Sequence, residues 1–150
     1  MNVARLLEGH DPDSIALISR NEQTTYGQLL DKIARLRGGL AAHGVQAGDR
    51  VAIACGNNRY FVKSYFAIVG MGAIAVPVNP ASPGAELQRQ LAEVGASAII
   101  VGPNAASSWK AVDVARLEDL RLVIRAETTP AEGELALSEV GDADPLDVVD

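Results

Sequence analysis

The sequence predicts an α/β fold in which a mostly parallel sheet carries helices on both faces, preceded by a small N-terminal β-hairpin. Short apolar runs of strand length alternate with amphipathic runs of helical length through the middle of the chain, which is typical of right-handed crossovers onto a parallel sheet. Hydrophobic residues make up 48% of the chain but aromatic residues only 4%. This composition suits buried parallel strands better than a β-sandwich. With 150 residues, the chain is long enough for one domain with its own core.

The N-terminal part contains a predicted short leading helix (residues 2–8), a hairpin and the clearest helix of the chain. Strand-like residues on either side of Arg20-Asn21-Glu22 indicate the hairpin, with strands at 15–18 and 23–25. The helix is predicted from Tyr26 to His43, because apolar residues recur there at spacings of four, three and four: Leu29, Ile33, Leu36 and Leu40. Thr25 and Gln28 have the spacing of a capping box at its start.

Two glycines, Gly38 and Gly39, lie inside this helix. Each costs about 1 kcal/mol relative to alanine in a helix. We therefore expect the helix to pack closely against the sheet at this point.

The middle of the chain is predicted to alternate strands and helices. The strands lie at 50–55, 73–78, 98–101 and 122–125, and the helices between them run from Asn57 or Asn58 to Met71, from Pro83 to Val94, and more weakly within 105–117. The strand at 73–78 is apolar enough to predict burial on both faces. On the helix before it, the residues predicted to face inward are Val62, Tyr65, Phe66 and Val69.

Charge divides the chain into two parts. The net charge is −6, and residues 126–150 contain eight acidic side chains but no lysine or arginine. The sequence therefore predicts an α/β subdomain at 1–125 and an acidic, solvated linker at 126–150, with an acidic interaction segment as the alternative. Basic residues are not clustered elsewhere, so nucleic acid is not an expected partner.

The sequence predicts a cytoplasmic protein. No apolar run approaches the roughly 20 residues that cross a bilayer, and charged residues such as Arg5 and Glu8 near the start argue against a signal peptide. Cys55 is the single cysteine, which excludes an internal disulfide. It closes an apolar strand without a neighbouring His or Cys, so we expect a buried and unreactive thiol. His10 and His43 are isolated, and no metal site is expected.

Two loops are candidate binding sites. The turn Gly56-Asn57-Asn58 follows a strand and precedes a helix, so its amides could hold an anion; the simpler interpretation is a helix cap. The loop containing Asn79, Pro80 and Ser82 follows the next strand, and its prolines fix its shape. Ser82 before Pro83 is also a typical helix-start pair.

The string Gly70-Met-Gly-Ala-Ile-Ala75 satisfies the dinucleotide-binding pattern G-x-G-x-x-A. That pattern must follow a strand and open a helix. Here the glycines close a helix and lead into a strand, so we interpret them as a helix end. Trp109 is expected to pack a helix rather than bind a base.

Three ordered motifs resemble the adenylate-forming superfamily of acyl-CoA synthetases, luciferases and nonribosomal adenylation domains. They are Thr24-Thr-Tyr-Gly-Gln-Leu-Leu30, then Gly44-Val-Gln-Ala-Gly-Asp-Arg-Val-Ala-Ile53, and then the run from Val69 to Leu87 that contains Val76-Pro-Val-Asn-Pro80. Each motif is weak alone, but the ordered set is specific. The last motif is most similar to fatty-acid and other acyl-CoA ligases, while adenylation domains stay possible.

The resemblance implies the first α/β subdomain of an acyl-CoA synthetase-like N-terminal domain. It implies a parent ligase that uses ATP, Mg²⁺ and CoA to activate a carboxylic acid, with a fatty acid as the first choice. The matching positions Asn79, Pro80 and Ser82 would border the channel for the pantetheine arm of CoA. The remainder of the ligase polypeptide would be the partner of this chain.

The superfamily's Ser/Thr/Gly-rich phosphate loop ending in Pro-Lys-Gly does not occur in these 150 residues. We therefore expect no catalytic residue, no metal ligand and no tight cofactor binding in this chain alone, and no activity from it. The alternative is a standalone, non-catalytic α/β binding or scaffolding module. The codons that follow Asp150 would discriminate between the two hypotheses.

Overall fold

A computed structural model describes residues 1–150 and contains two sheets. An antiparallel hairpin is followed by a five-stranded parallel sheet with the order β4-β3-β5-β6-β7. The strands are β1 (Ile15–Ser19), β2 (Glu22–Thr25), β3 (Arg50–Ala54), β4 (Ile74–Pro77), β5 (Ala98–Val101), β6 (Leu122–Arg125) and β7 (Leu135–Ala136). The helices are α1 (Tyr26–Ala42), α2 (Arg59–Gly70), α3 (Gly84–Val94), α4 (Ala106–Trp109) and α5 (Leu137–Val140). Short 3₁₀ helices lie at Val3–Leu7, Pro103–Ala105 and Val114–Arg116.

The predicted α/β fold is confirmed, with an apolar layer on each face of the parallel sheet. Alternation along β3 sends Val51 and Ile53 to the layer shared with α1 and α2, and Ala52 and Ala54 to the layer shared with α3 and Trp109. All four of these strand residues are fully buried. Small and branched aliphatic side chains therefore fill a thin core on both sides, as the aromatic-poor composition indicates.

The hairpin and the start of α1 follow the local sequence closely. Ser19 pairs with Glu22 across a two-residue turn, and the predicted capping box begins α1. The amide of Gln28 donates to Oγ1 of Thr25 at 3.2 Å, and the Thr25 amide donates to Oε1 of Gln28 at 3.0 Å. No helix in the structure has both the length and the apolar character needed to span a bilayer.

One prediction of burial is wrong. The strand predicted to be buried on both faces is β4, and it lies at the edge of the sheet with Ile74 46% exposed. An edge position accommodates Pro77, which has no amide hydrogen to donate to a further strand. On α2 the fully buried side is formed by Ser64, Ala67 and Ile68. Val62, Tyr65 and Phe66 are half-buried and pack against the core, as predicted, while Val69 is half-buried without belonging to that cluster. Small side chains let α2 approach its neighbours closely.

The helix predicted within residues 105–117 is replaced by one turn of α helix and two 3₁₀ turns. The longest of these pieces, α4, ends at Trp109, which is buried in the core layer with α3. The single turn of α4 therefore positions the Trp109 side chain in the core, and it is too short to cover the sheet as a helix.

The acidic segment 126–150 is packed against the domain, which corrects its description as a solvated linker. It supplies β7 and α5, and Leu137 and Val140 are buried. Beyond α5, the Leu146 amide donates to the Ala34 carbonyl at 3.0 Å and the Val149 amide donates to the Gly70 carbonyl at 2.8 Å. The segment therefore runs along α1 and the end of α2.

The two glycines of α1 face this segment and not the sheet. A Cβ at Gly39 would overlap the carbonyl of Val140, and one at Gly38 would overlap the carbonyl of Asp144. The close approach that we inferred from the sequence is present, but its partner is the backbone of the C-terminal segment.

Candidate functional site

The loops that follow the parallel strands meet at one edge of the sheet, because parallel strands all end on the same side. In the order of the sheet they are residues 78–83 after β4, 55–58 after β3, 102–105 after β5 and 126–134 after β6. The crevice outside the carboxyl ends of parallel strands is where open α/β sheets bind ligands. Both predicted candidate loops lie there, on adjacent strands.

The turn Gly56-Asn57-Asn58 has the geometry of a helix cap. Oδ1 of Asn58 accepts from the amides of Tyr60 at 3.0 Å and Phe61 at 3.2 Å, and the Asn58 amide donates to the Gly56 carbonyl at 2.8 Å. These bonds satisfy donors that a helix start leaves free. The same turn borders a cavity of about 480 Å³ whose other walls are the tip of the hairpin, the start of α2 at Phe61 and Val62, and Asn104.

The loop after β4 is held by two hydrogen bonds to Asn79, one to its side chain and one to its carbonyl. The Ala81 amide donates to Oδ1 of Asn79 at 3.0 Å, and the Ser82 amide donates to the Asn79 carbonyl at 3.1 Å. Pro80 lies between these two contacts. Hydrogen bonds within the loop therefore fix its conformation. The loop does not line the 480 Å³ cavity.

The prediction that Ser82 caps α3 is wrong. Pro83 occupies the cap position and no side chain caps the helix, while Ser82 is buried, with 5% of its surface exposed. The start of α3 packs tightly on α4 and the residues just after it, since a Cβ at Gly84 would lie 2.7 Å from the Ser108 carbonyl oxygen and 2.5 Å from Cβ of Ala111. Tertiary packing therefore sets the position of this helix end.

Cys55 lies at the end of β3 and is buried. Burial raises the pKa of its thiol to about 12, against a small opposing effect from a backbone hydrogen bond at Gly102. The thiolate is the nucleophilic form. Cys55 is therefore unreactive near neutral pH, as the sequence predicts.

Sequence reasoning missed a polar network that joins the hairpin, α2 and the loop after β6. Nη1 of Arg59 lies 2.8 Å from Oε2 of Glu22, and Nη2 lies 3.5 Å from Oε1 of Glu127. The hydroxyl of Tyr60 donates to the same Glu127 oxygen at 2.5 Å. Glu22 and Glu127 are far apart in sequence, so no local pattern indicates this network.

A second network, more buried, closes the loop between β6 and β7. Nη1 of Arg125 lies 3.1 Å from Oε1 of Glu134, and the Trp109 indole donates to Oε2 of Glu134 at 2.8 Å. Burial alone would raise the pKa of Glu134, but hydrogen bonds from the Ala131 amide and Trp109, together with the charge of Arg125, lower it. Trp109 therefore packs a helix, as predicted, and also orients this carboxylate.

Comparison with known proteins identifies the family. The family of AMP-binding enzymes matches residues 7–148. The chain belongs to the AMP-binding enzyme family. Of its relatives, a feruloyl-CoA synthase from Amycolatopsis sp. is 37% identical over 106 residues, which cover 71% of this chain and 22% of that protein. A long-chain-fatty-acid–CoA ligase from Thermus thermophilus is 34% identical over 128 residues, covering 84% of this chain and 24% of the relative.

Solved structures of the family have the same fold. An anthranilate CoA ligase crystallised with anthranoyl-AMP superposes with a TM-score of 0.92 at 23% identity, over 99% of this chain and 30% of that one. The chain matches the N-terminal part of these ligases and spans less than a quarter of the length of the two relatives above. Within the AMP-binding fold, the three motifs fall at the start of α1, at the entry to β3, and across β4 from α2 to α3.

Proposed function

We propose that this chain is the N-terminal α/β portion of an ATP-dependent acid–thiol ligase of the acyl-CoA synthetase type. The supporting observation is the family match over residues 7–148, together with relatives named as CoA ligases. In the proposed reaction, a carboxylate oxygen attacks the α-phosphorus of ATP and pyrophosphate leaves. The thiol sulfur of CoA then attacks the acyl carbonyl and AMP leaves. A fatty acid is the proposed substrate and the cytoplasm is the proposed location.

The chain's own residues do not fit the magnesium or phosphate chemistry of that reaction. No three His, Cys, Asp or Glu side chains converge as a metal site, and the sequence contains no glycine-rich phosphate loop. We therefore assign no step to these residues through ATP or Mg²⁺. Those parts would be supplied by the remainder of the ligase polypeptide.

The part that we assign to this chain is a wall of the CoA channel. Asn79, Pro80 and Ser82 are proposed to border the pantetheine arm, Asn79 and Pro80 through their accessible side chains and the buried Ser82 through its place in the loop backbone. Their loop lies at the carboxyl edge of the sheet and is held rigid by the two contacts at Asn79. A wall that is ordered before binding reduces the entropy lost on binding. Its contribution would be to orient the thiol for attack on the acyl-adenylate.

Anion binding at Gly56-Asn57-Asn58 stays a prediction. Asn58 already satisfies the amides of Tyr60 and Phe61, which leaves the amides of Gly56 and Asn57 as the candidates. Amide NMR spectra recorded during a phosphate titration would decide this point. Shifts of the Gly56 and Asn57 resonances would support the site, and unchanged resonances at these two residues would leave the turn as a cap alone.

The isolated chain tests one half of the proposal. ATP–pyrophosphate exchange with a panel of fatty acids is expected to stay at the level of the blank, because the proposal places ATP handling in other residues. Exchange above the blank would mean that these 150 residues activate ATP on their own, which would contradict the proposal.

A chimaera tests the other half. The matching N-terminal portion of the Thermus thermophilus ligase would be replaced by this chain, and acyl-CoA formation from a fatty acid, ATP and CoA would be measured. We expect activity, and we expect Asn79→Ala in the chimaera to raise the KM for CoA without changing ATP–pyrophosphate exchange. Asn21→Ala, in the hairpin turn, is the control. A folded but inactive chimaera would favour the standalone module instead.

A further inference from the structure

A cavity of about 190 Å³ lies between the hairpin, α1 and α2, away from the loops assigned to the CoA channel. Its apolar walls include Leu17 and Leu29. Its polar lining contains three cations and one carboxylate: Lys32, Arg59, Lys63 and Glu22. Thr24 and Tyr60 complete the lining. The charges that face this space therefore sum to an excess of two positive charges.

The excess is not neutralised within the chain. Glu22, the single carboxylate of the cavity, is engaged by Arg59 at 2.8 Å. All nine ion pairs of the structure are made by arginines, so neither Lys32 nor Lys63 has a carboxylate partner. Neither lysine side chain makes a hydrogen bond to the protein.

Lys63 is half-buried and has no carboxylate partner. It also lines a second cavity of about 390 Å³, formed with the loop after β6. Glu127, the acid that lines this second cavity, is already held by Tyr60 and Arg59. Burial first, and then the charges of Lys32 and Arg59, lower the pKa of the Lys63 amine. A cation that is partly removed from water and faces like charges is unfavourable unless something compensates it.

We propose that this cavity binds a phosphate-class oxyanion through the amines of Lys63 and Lys32. An ammonium offers three donors and no acceptor, so oxyanion oxygens are its natural ligands, and such charge-assisted hydrogen bonds are among the strongest in proteins. Two unpaired lysines match a doubly charged anion better than a single carboxylate. The proposal is independent of the ligase function, since it uses residues outside the CoA channel.

The chain offers a site-resolved test, because Lys32, Lys63 and Lys110 are its only lysines. The chain would be trace-labelled with acetic anhydride in chloride and in inorganic phosphate at equal ionic strength, and the acetylation of each lysine would be measured by mass spectrometry. We expect phosphate to protect Lys63 and Lys32 while Lys110, which is exposed, stays unchanged. Equal protection of all three lysines, or none, would overturn the proposal.

Variants then measure the affinity. Lys63→Gln is expected to weaken phosphate binding about tenfold, the effect of losing one charged hydrogen bond, whereas Lys110→Gln leaves it unchanged. Circular dichroism confirms folding, and Lys32→Gln serves as the second variant because its side chain is at the surface. Acetate is the comparison ligand. Acetate binding as tightly as phosphate would contradict a site built for a dianion.

Discussion

At the scale of single residues, Asn58 performs the clearest local task, since its side chain accepts from two amides at the start of α2. Removing a cap of this kind costs about 1 kcal/mol. We therefore expect Asn58→Ala to lower the free energy of unfolding by about 1 kcal/mol. Asn58→Asp keeps the acceptor and adds a negative charge at the positive end of the helix dipole, so it should be neutral or stabilising. Urea denaturation measures both, and an unchanged Ala variant would contradict the assignment of the cap.

Gly39 gives a second prediction at this scale. The expected change in the free energy of unfolding on Gly39→Ala is opposite in sign to the change that helix propensity predicts. In an exposed helix, glycine to alanine stabilises by about 1 kcal/mol. Here the added Cβ would overlap the Val140 carbonyl, so we expect Gly39→Ala to destabilise by about 2 kcal/mol through overpacking. Thermal and urea unfolding would be compared with Ala41→Gly, at an exposed position of the same helix, which should cost about 1 kcal/mol. A stabilised Gly39→Ala would show that the C-terminal segment does not pack on α1 in solution.

Sequence alone predicts a residue's task when the partner is close along the chain. The capping box of Thr25 and Gln28, the Asn58 cap and the buried Cys55 all follow from neighbours within a few positions. Ser82 fails as a cap because the start of α3 is fixed by its packing on residues 108–111. The Trp109–Glu134 hydrogen bond joins residues 25 positions apart, and no local pattern specifies which acid the indole finds.

At the scale of elements, the apolar runs locate the strands well but not their order. The strands predicted at 98–101 and 122–125 match β5 and β6, and those predicted at 50–55 and 73–78 each exceed the observed strand by only one or two residues. β4 lies at the edge because the chain returns on one side of β3 to form β4 and on the other side to form β5. Amino-acid composition does not indicate on which side of β3 a strand is added. The strand β7 has only two residues and lies among acidic residues, so it is too short to show the hydrophobic pattern of a strand. The two loops at the carboxyl edge were predictable because they immediately follow predicted strands.

Packing of the acidic segment gives a prediction at this scale. Leu137 is 3% exposed and belongs to the main core cluster, so Leu137→Ala should destabilise the protein by about 3 kcal/mol. Leu146→Ala, in the same segment but at a more exposed position, is the matched control and should cost under about 1 kcal/mol. Urea denaturation followed by circular dichroism measures both. If the two variants were equally harmless, residues 126–150 would behave as the solvated linker that the composition suggests.

At the scale of the whole molecule, one buried ion pair, Arg125–Glu134, should make a large contribution to how stability changes with pH. Although burial opposes it, the hydrogen bonds from the Ala131 amide and Trp109, together with the charge of Arg125, lower the pKa of Glu134 in the folded protein. A folded chain that keeps this carboxylate ionised binds fewer protons than the unfolded chain, so stability falls as the pH drops below about 4.5. Above that value the contribution is fully present.

Glu134→Gln isolates this contribution. The amide oxygen can still accept from Trp109, but the side chain of Arg125, only 9% exposed, is left without its counter-charge. Removing one partner of a buried pair costs about 3 kcal/mol or more, so the variant should be less stable at neutral pH. Its free energy of unfolding should also fall less steeply than that of the wild type between pH 5 and pH 3, values chosen to bracket the ordinary carboxylate pKa of about 4.3. Urea unfolding across this range, with Glu132→Gln as an exposed control, measures both effects, and parallel acid profiles for all three proteins would assign the acid sensitivity to other groups.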